Sequence, residues 1–302
     1  MRWCMSIKLT CLQQWAIKMS LLPVWTFASA LQWAQTQLQP VSVSAVLDAE
    51  VLLADLLHVS RGHLHAWPQR ELTAEQQEKF SAGVMRCVQG EPIAYVTGHR
   101  EFWSLDLLVT PATLIPRPET ELLVECVLNT FHDHDTHKIA DLGTGSGAIA
   151  LAIATERPQW QVHATDVSEA ALAVAHQNAM RLQLMNVSFH QGDWCAALPT
   201  RGFDAIVSNP PYIALEDERV EQRVKLAEPH GALFSGEDGL DAIRQIISHA
   251  KNFLKSGGYL FIEHGCGQAA MVRCLFEKAG YTKVDLHKDL AGLERVTRGC
   301  MI

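Results

Sequence analysis

The first third of the chain has apolar residues at helical spacing. Ala49, Leu52 and Leu56 stand three and four positions apart, with acidic residues between them. This period predicts amphipathic helices from about Thr26 to Gly90. The segment Thr73–Gln76 has the pattern of a capping box, which predicts that a further helix begins there. We therefore expect a small helical domain.

The pattern changes between Ala94 and Val109, where apolar side chains such as Leu105 and Leu107 alternate with polar ones. Alternation of this kind is typical of extended chain, and the pair Gly98-His99 is typical of a turn. These features predict a β-hairpin that joins the helical domain to the remainder of the chain.

From position 138 onward, short apolar segments alternate with helical ones. This order predicts a mostly parallel sheet with helices on both faces, whose ligands bind where the strands end. The predicted strands are Lys138–Leu142, Val162–Asp166, Val187–Gly192, Phe203–Ser208 and Tyr259–Glu263, and the predicted helices include Ala148–Glu156, Ser168–Leu182 and Leu240–Leu254.

Four parts are predicted along the 302 residues. The first 47 residues contain no acidic residue, and Ser20–Ala30 is apolar, so the start of the chain is a targeting peptide, a dispensable extension or sequence upstream of the true start. No run reaches the length of a membrane span. The predicted parts are an extension at 1–24, a helical domain at 25–93, a hairpin linker at 94–115 and an α/β domain at 116–302.

Composition narrows the function classes. Hydrophobic residues make up 48% of the chain and charged residues 19%, which is typical of a globular protein. The net charge of −8 argues against broad capture of nucleic acid, which needs clustered basic residues. The eight cysteines include no C-x-x-C pair and favour a reducing cytoplasm. The segment at 132–137 is either a polar loop or a metal site; we favour the loop and expect no metal.

A glycine-rich loop follows the first predicted strand of the sheet and precedes a helix. Glycines at alternate positions allow a sharp turn and close approach of a ligand, and the helix start offers free N–H groups to an anion. A nucleotide or a carboxylate suits this site, although a purely structural turn is the alternative. The loop consists of Gly143, Thr144, Gly145, Ser146 and Gly147.

Acidic and aromatic residues end the next two strands. The position of Asp166 is typical of a carboxylate that accepts hydrogen bonds from ribose hydroxyls, and equally typical of a residue that caps the following helix. The Asp193 carboxylate is placed to accept a hydrogen bond from an adenine amino group, and the Trp194 indole to pack against the adenine ring. The alternative is that Asp193 is a surface carboxylate and Trp194 part of the apolar core. Because these signals occur at successive strand ends, together they predict a site for S-adenosylmethionine.

The fourth strand runs into Asn209-Pro210-Pro211-Tyr212. The two prolines fix the backbone and remove two N–H donors, so the Asn209 side chain and nearby carbonyls are left as acceptors. Hydrogen bonds from a planar carboxamide to the Asn209 oxygen and the Pro210 carbonyl would orient its nitrogen, and Tyr212 would cover the group. We expect Asn209, Pro210 and Tyr212 to perform catalysis and all four residues to bind substrate. Asn209 is also expected to contact the cofactor.

A second proline-rich segment, Leu114–Thr120, precedes the first helix of the α/β domain. It is either a stiff inter-domain joint or part of the substrate pocket. In the second case Arg117 and Glu119 contact the substrate.

Five motifs together strongly resemble the peptide chain release factor N5-glutamine methyltransferases, over about Thr26 to Gly299. N-P-P-Y alone also occurs in DNA adenine methyltransferases, so the combination carries the resemblance. The motifs are Gly90–Tyr95, Glu101–Trp103, Ile115–Thr120, Gly143–Gly147 and Asn209–Tyr212, and Asp289–Val296 resembles the family's C-terminal hairpin.

The resemblance implies a seven-stranded class I methyltransferase fold, Rossmann-like, with a helical N-terminal domain that docks the release factor. It implies S-adenosylmethionine bound by Gly143–Gly147, Asp166 and Trp194, and the glutamine of a release factor's Gly-Gly-Gln tip bound by Asn209–Tyr212. We expect a cytoplasmic monomer that binds neither nucleic acid nor membrane. Three alternatives stay open: methylation of a ribosomal-protein glutamine, adenine-N6 methylation, and a non-catalytic release-factor-binding module.

Overall fold

The computed structural model describes residues 24–131, 135–218 and 221–302. The extension predicted at the start of the chain therefore lies almost entirely outside the described residues, as does half of the polar segment 132–137. The described chain forms two compact units, the first ending at Thr97 and the second running from Gly98 to Ile302. The bounds of the four parts expected from the sequence stay predictions.

The first unit is helical, as predicted. Its core contains Phe27, Leu53, Leu64 and Phe80, each no more than 3% exposed. The predicted capping box is present, because the Thr73 hydroxyl accepts a hydrogen bond from the Gln76 backbone amide and the Gln76 side-chain oxygen accepts one from the Thr73 backbone amide. The helices are α1 (Phe27–Leu38), α2 (Ala45–Leu57), α3 (Arg61–Ala66), α4 (Ala74–Val88) and α5 (Ile93–Thr97).

The hairpin occurs, but two details of its prediction were wrong. Ala94 is not extended: it lies in α5, whose first turn closes through hydrogen bonds from the Tyr95 and Val96 amides to the Pro92 carbonyl. The turn is not at Gly98-His99 either. Strands β1 (His99–Phe102) and β2 (Leu105–Leu108) meet at Trp103-Ser104, where φ is +52° and +59°, as a two-residue turn with both central residues left-handed requires.

The second unit also contains a seven-stranded sheet, which confirms the predicted fold class. Five neighbouring strands are parallel, in the order β5-β4-β3-β6-β7, and β9 and β8 complete the sheet through antiparallel pairs. The strands are β3 (Lys138–Leu142), β4 (Gln161–Asp166), β5 (Val187–Gln191), β6 (Phe203–Ser208), β7 (Leu254–Glu263), β8 (Thr282–Lys288) and β9 (Glu294–Cys300).

Helices cover both faces of this sheet, and each face has its own apolar cluster. The most deeply buried helix is α7, in which every residue from Ala148 to Ala154 is at most 8% exposed. The helices are α6 (Glu121–Thr130), α7 (Ala148–Glu156), α8 (Glu169–Arg181), α9 (Gln222–Ala227), α10 (His230–Leu233), α11 (Asp241–Ala250) and α12 (Ala269–Lys278).

The strand order identifies where a ligand binds. The chain moves outward from β3 through β4 to β5 and then returns to the other side of β3 as β6. The carboxyl ends of β3 and β6 therefore border the switch point of the sheet, which is the usual ligand crevice of such folds. Within the described residues, no helix has the length and apolar character to cross a membrane.

Candidate active site

The glycine-rich loop turns sharply over the end of β4. The Gly143 and Thr144 amides both donate to the Thr165 carbonyl at 2.9 Å. Gly147 begins α7 with a φ of +87°, and a Cβ atom there would lie 2.9 Å from the Leu151 side chain. Glycine is thus required at this position by both conformation and space.

Asp141, at the base of this loop, was not among the predicted site residues. Its side chain is fully buried, and one oxygen, Oδ2, accepts hydrogen bonds from the Thr144 hydroxyl at 2.6 Å and the Ala150 amide at 3.2 Å. The other oxygen, Oδ1, has no partner among the described residues. Burial raises the pKa of this carboxyl to about 7. A buried acceptor with no partner beside a ligand crevice fits a ligand that brings a positive charge.

Asp166 ends β4 and lines the crevice. Its two oxygens accept from the Gly145 and Ser168 amides, each at 2.9 Å. Ser168 is itself the cap of α8, since its hydroxyl accepts from the Ala171 amide at 3.2 Å. The capping role considered for Asp166 therefore belongs to Ser168, and Asp166 is a carboxylate fixed against the glycine loop.

Trp194 and Asp193 form another wall of the crevice. The Trp194 indole lies against Gly143, because a Cβ atom on Gly143 would come within 2.9 Å of the ring. Asp193 is exposed, and its Oδ2 accepts from the Gln245 side chain at 2.7 Å. These residues border a cavity of about 260 Å³ that is also lined by Ala112, Thr113, Leu114, Gly145, Asp166, Val167, Ser168, Ala171, Gly192, Asn209, Pro211, Pro229, Gly231 and Ala232.

The predicted nitrogen-holding tetrapeptide follows β6 directly and reaches the same cavity. Asn209 and Pro211 line it, whereas Pro210 is buried. The Asn209 amide group donates from Nδ2 to the Thr120 hydroxyl at 3.1 Å. Because a carboxamide is planar, this bond directs Oδ1 to the opposite side of the group.

Tyr212 is held at both ends. Its hydroxyl lies 3.5 Å from the Glu263 carboxylate, and its carbonyl accepts from the Gln268 side chain at 2.9 Å. Burial raises the pKa of the Tyr212 hydroxyl far above its usual value, so it stays protonated. Gly239 packs on the same carbonyl, where a Cβ atom would lie only 2.3 Å from it.

Arg117 and Glu119 do not line the cavity. Arg117 pairs with the buried carboxylate of Glu228, which also accepts from the Ile115 amide at 3.1 Å. The pair ties the proline-rich segment to the residue before Pro229, which is part of the cavity wall. Glu119 is exposed.

Comparison with known proteins identifies the family of the chain. The PrmC N-terminal domain model matches residues 29–98, and the methyltransferase small domain model matches residues 118–229. A release factor glutamine methyltransferase of Coxiella burnetii is 50% identical over 86% of this chain and 93% of its own length. The chain belongs to the release factor glutamine methyltransferase family. A relative of the same name from Pseudomonas aeruginosa is 48% identical over 86% of this chain and 94% of its own.

Structural comparison agrees at the level of the fold. A methyltransferase from Pyrococcus furiosus superposes with a TM-score of 0.51 at 19% identity, covering 76% of this chain and all of that one. The family membership confirms the resemblance, the enzyme class and the cofactor: the chain is an S-adenosylmethionine-dependent methyltransferase. The roles of individual residues stay predictions.

No partner of the site was predicted from the sequence. Three buried polar residues contact residues of the site: Thr120, which lies within the predicted motif Ile115–Thr120 but was given no role, and Glu228 and Glu263, which lie outside the motifs. Composition was the only local sign of a functional role for Glu263. This glutamate directly follows the apolar strand segment Tyr259–Ile262, and a glutamate in a buried position is unusual. Among the residues that the structure describes, no cluster of His, Cys, Asp and Glu is arranged to hold a metal ion.

Proposed function

We propose that this protein transfers a methyl group from S-adenosylmethionine to the side-chain amide nitrogen of the glutamine in the Gly-Gly-Gln motif of class-1 peptide chain release factors. The observation that carries the proposal is Asn209, which lines the cavity and whose side-chain NH₂ group is held by the Thr120 hydroxyl, so that its oxygen is left as an acceptor. The high identity to relatives named for this activity supports the same substrate.

The polar and aromatic groups at the cavity match the chemical groups of S-adenosylmethionine. The glycine loop leaves room for close approach of a ligand, and the carboxylates of Asp166 and Asp193 are acceptors for ribose and adenine groups. Trp194 offers an aromatic face. Asp141, whose Oδ1 has no partner among the described residues, provides negative charge for the ammonium group of the cofactor.

The bound cofactor supplies an electrophilic methyl group on a sulfonium centre. The protein's own contribution is orientation, because an amide nitrogen is a weak nucleophile whose lone pair is delocalised. The Asn209 oxygen and the Pro210 carbonyl accept the two N–H bonds of the substrate amide. They hold the nitrogen in line and favour the positive charge that develops on it. Tyr212 covers the planar group, and no strong base is needed before transfer.

We further propose roles for the helical unit and for the enzyme as a whole. The helical unit helps to dock the release factor, and the enzyme acts as a cytoplasmic monomer without binding nucleic acid. The acidic net charge of −8 supports the last point, because binding to phosphate backbones depends on basic surface. Light scattering of the purified protein tests the oligomeric state.

The activity is tested by incubating the purified enzyme with labelled S-adenosylmethionine and a release factor. The matched control is the same factor with its Gly-Gly-Gln glutamine changed to alanine. We expect labelling of the unmodified factor alone. Equal labelling of both would overturn the proposal, and labelling of isolated ribosomal proteins instead of the release factor would favour the ribosomal alternative.

A further inference from the structure

The carbonyl group of Tyr212 is held by a side chain from a distant part of the sequence. Gln268 directly precedes α12, and its Nε2 donates to the Tyr212 carbonyl at 2.9 Å. Its Oε1 accepts from the Gly265 amide, also at 2.9 Å. The side chain therefore joins the loop after β6 to the loop after β7, the neighbouring strand of the sheet.

Both of these partners are backbone groups, so the orientation of the Gln268 amide is fixed. A backbone N–H only donates and a carbonyl only accepts, so the oxygen faces Gly265 and the NH₂ group faces Tyr212. The Asp238 carbonyl lies 3.4 Å from the same Nε2 atom. Nε2 is thus close to both ends of the segment 212–238, and part of this segment lines the cavity.

Two glycines leave room for the Gln268 amide group. A Cβ atom on Gly239 would lie 2.3 Å from the Tyr212 carbonyl oxygen and 2.9 Å from Gln268 Nε2. A Cβ atom on Gly265 would lie 3.1 Å from Gln268 Oε1. Larger residues at either position would displace the amide, so the chain is closely packed around it.

The Gln268 side chain does not stabilise the helix that follows it. Gln268 is the N-cap residue of α12, but its side chain makes no capping hydrogen bond. The residues that stabilise helix starts are Ser, Thr, Asp and Asn, whose short side chains reach the free amides. Helix stability therefore does not account for a glutamine that bonds to two loops instead.

Tyr212 belongs to the tetrapeptide that is proposed to hold the substrate amide. Its carbonyl lies two residues after the Pro210 carbonyl, the proposed acceptor, and the ring of Pro211 fixes one of the intervening rotations. Holding the Tyr212 carbonyl therefore also limits how the Pro210 carbonyl turns. A misplacement of about 1 Å in an orienting group can lower a rate about 100-fold.

We propose that Gln268 is a positioning residue whose NH₂ group anchors the Tyr212 carbonyl and thereby fixes the direction of the Pro210 carbonyl toward the substrate glutamine. The inference rests on the proposed function, since only an amide substrate needs an acceptor at that point. Gln268 is not among the described residues that line the cavity, so its effect on catalysis is indirect.

The test replaces Gln268 by glutamate and by methionine. At about pH 8 a glutamate is ionised, and its carboxylate keeps an acceptor for the Gly265 amide but has no hydrogen for the Tyr212 carbonyl in any orientation. Methionine has a similar length and lacks both groups. Initial rates with saturating release factor and labelled S-adenosylmethionine give kcat, and calorimetry gives the Kd for S-adenosylhomocysteine.

Both variants are expected to lower kcat, Gln268→Glu about 100-fold and Gln268→Met about tenfold, because the carboxylate adds repulsion to the lost hydrogen bond. The Kd for S-adenosylhomocysteine is expected to stay within about threefold, which also shows that the variants are folded. The matched control is Met271→Glu, which adds the same charge at an exposed position in the first turn of α12 and is expected to keep kcat within about twofold.

The outcomes distinguish this inference from the proposed function. A kcat of Gln268→Glu equal to that of wild type would overturn the role of Gln268 alone, because the donor would then be irrelevant. A loss of cofactor affinity as large as the loss of kcat would overturn it as well, since Gln268 would then support the cavity and not the tetrapeptide. If Gln268→Glu does not fold, Gln268→Met, which introduces no charge, decides by the same criteria. A wild type that does not methylate the release factor would overturn the proposed function together with the inference.

Discussion

The ion pair between Arg117 and Glu228 gives a stability prediction whose size follows from burial. Removing Arg117 leaves the Glu228 carboxylate, 6% exposed, with only the Ile115 amide as a partner among the described residues. Breaking a fully buried pair by removing one partner costs about 3–5 kcal/mol. The Arg117 side chain is 36% exposed, so solvent screening reduces this effect. We expect Arg117→Met to lower the free energy of unfolding by about 2 kcal/mol, or Tm by about 6 °C.

Urea unfolding followed by tryptophan fluorescence and circular dichroism measures this change. The control is Arg273→Met, which removes a partner from Glu277 in an ion pair whose side chains are 52% and 53% exposed. That variant is expected to change the free energy of unfolding by less than about 0.5 kcal/mol. The double variant Arg117→Met/Glu228→Gln is expected to recover about half of the loss, because no unpaired charge stays buried.

Two results would contradict a buried, charge-dependent pair. A loss in Arg117→Met no larger than in Arg273→Met would show that Glu228 finds solvent or another partner. A double variant as unstable as the single one would show that packing, not charge, holds the proline-rich segment. The same variants also test the predicted substrate contact of Arg117. If the pair only supports the cavity wall, the double variant regains affinity for S-adenosylmethionine together with stability.

Three further predictions concern Asn209 and the glycine-rich loop with its buried Asp141. Asn209→Ala is expected to abolish methyl transfer while the Kd for S-adenosylmethionine, measured by calorimetry, stays within about threefold, because its oxygen acts on the substrate amide; loss of cofactor binding would contradict this. Gly147→Ala is expected to lower the free energy of unfolding by about 2 kcal/mol, since it combines a φ of +87° with a 2.9 Å contact to Leu151. Gly202→Ala, with a φ of +81° and no atom within 4 Å, isolates the conformational part and is expected to cost about 1 kcal/mol; equal losses would show that the contact is harmless. Finally, burial raises the pKa of Asp141 from 3.8 to about 7, so the folded protein holds this proton more tightly than the unfolded chain. The carboxyl therefore lowers stability as the pH rises from about 4 to about 7, and the ligand-free Asp141→Asn variant is expected to gain stability relative to wild type across that range in urea titrations; a constant difference would contradict it.

Local patterns were sufficient to predict most of the sheet. Three elements have the predicted bounds: the strands Lys138–Leu142 and Phe203–Ser208 and the helix Ala148–Glu156. Each is an apolar run next to glycine or proline, and such a run is compatible with few other structures. The strand-end rule then placed Asp166, Trp194 and Asn209 at one cavity.

The error at Ala94 has a local cause, whereas the omitted partners of the site are distant in the sequence. At Ala94, the helix that Pro92 begins overrode an alternating pattern. The contacts of Thr120 with Asn209 and of Ile115 with Glu228 join residues 89 and 113 positions apart. Spacing along a sequence contains no information about such pairs, so these partners of the site emerge only from the folded chain.

The proposed site holds a glutamine side-chain amide beside the methyl donor. Tandem mass spectrometry of a release factor treated with the enzyme and S-adenosylmethionine shows which atom receives the methyl group. We expect one added methyl group, located on the side-chain nitrogen of the glutamine in the Gly-Gly-Gln motif. A methyl group on any other residue of the factor, with that glutamine unmodified, would contradict it.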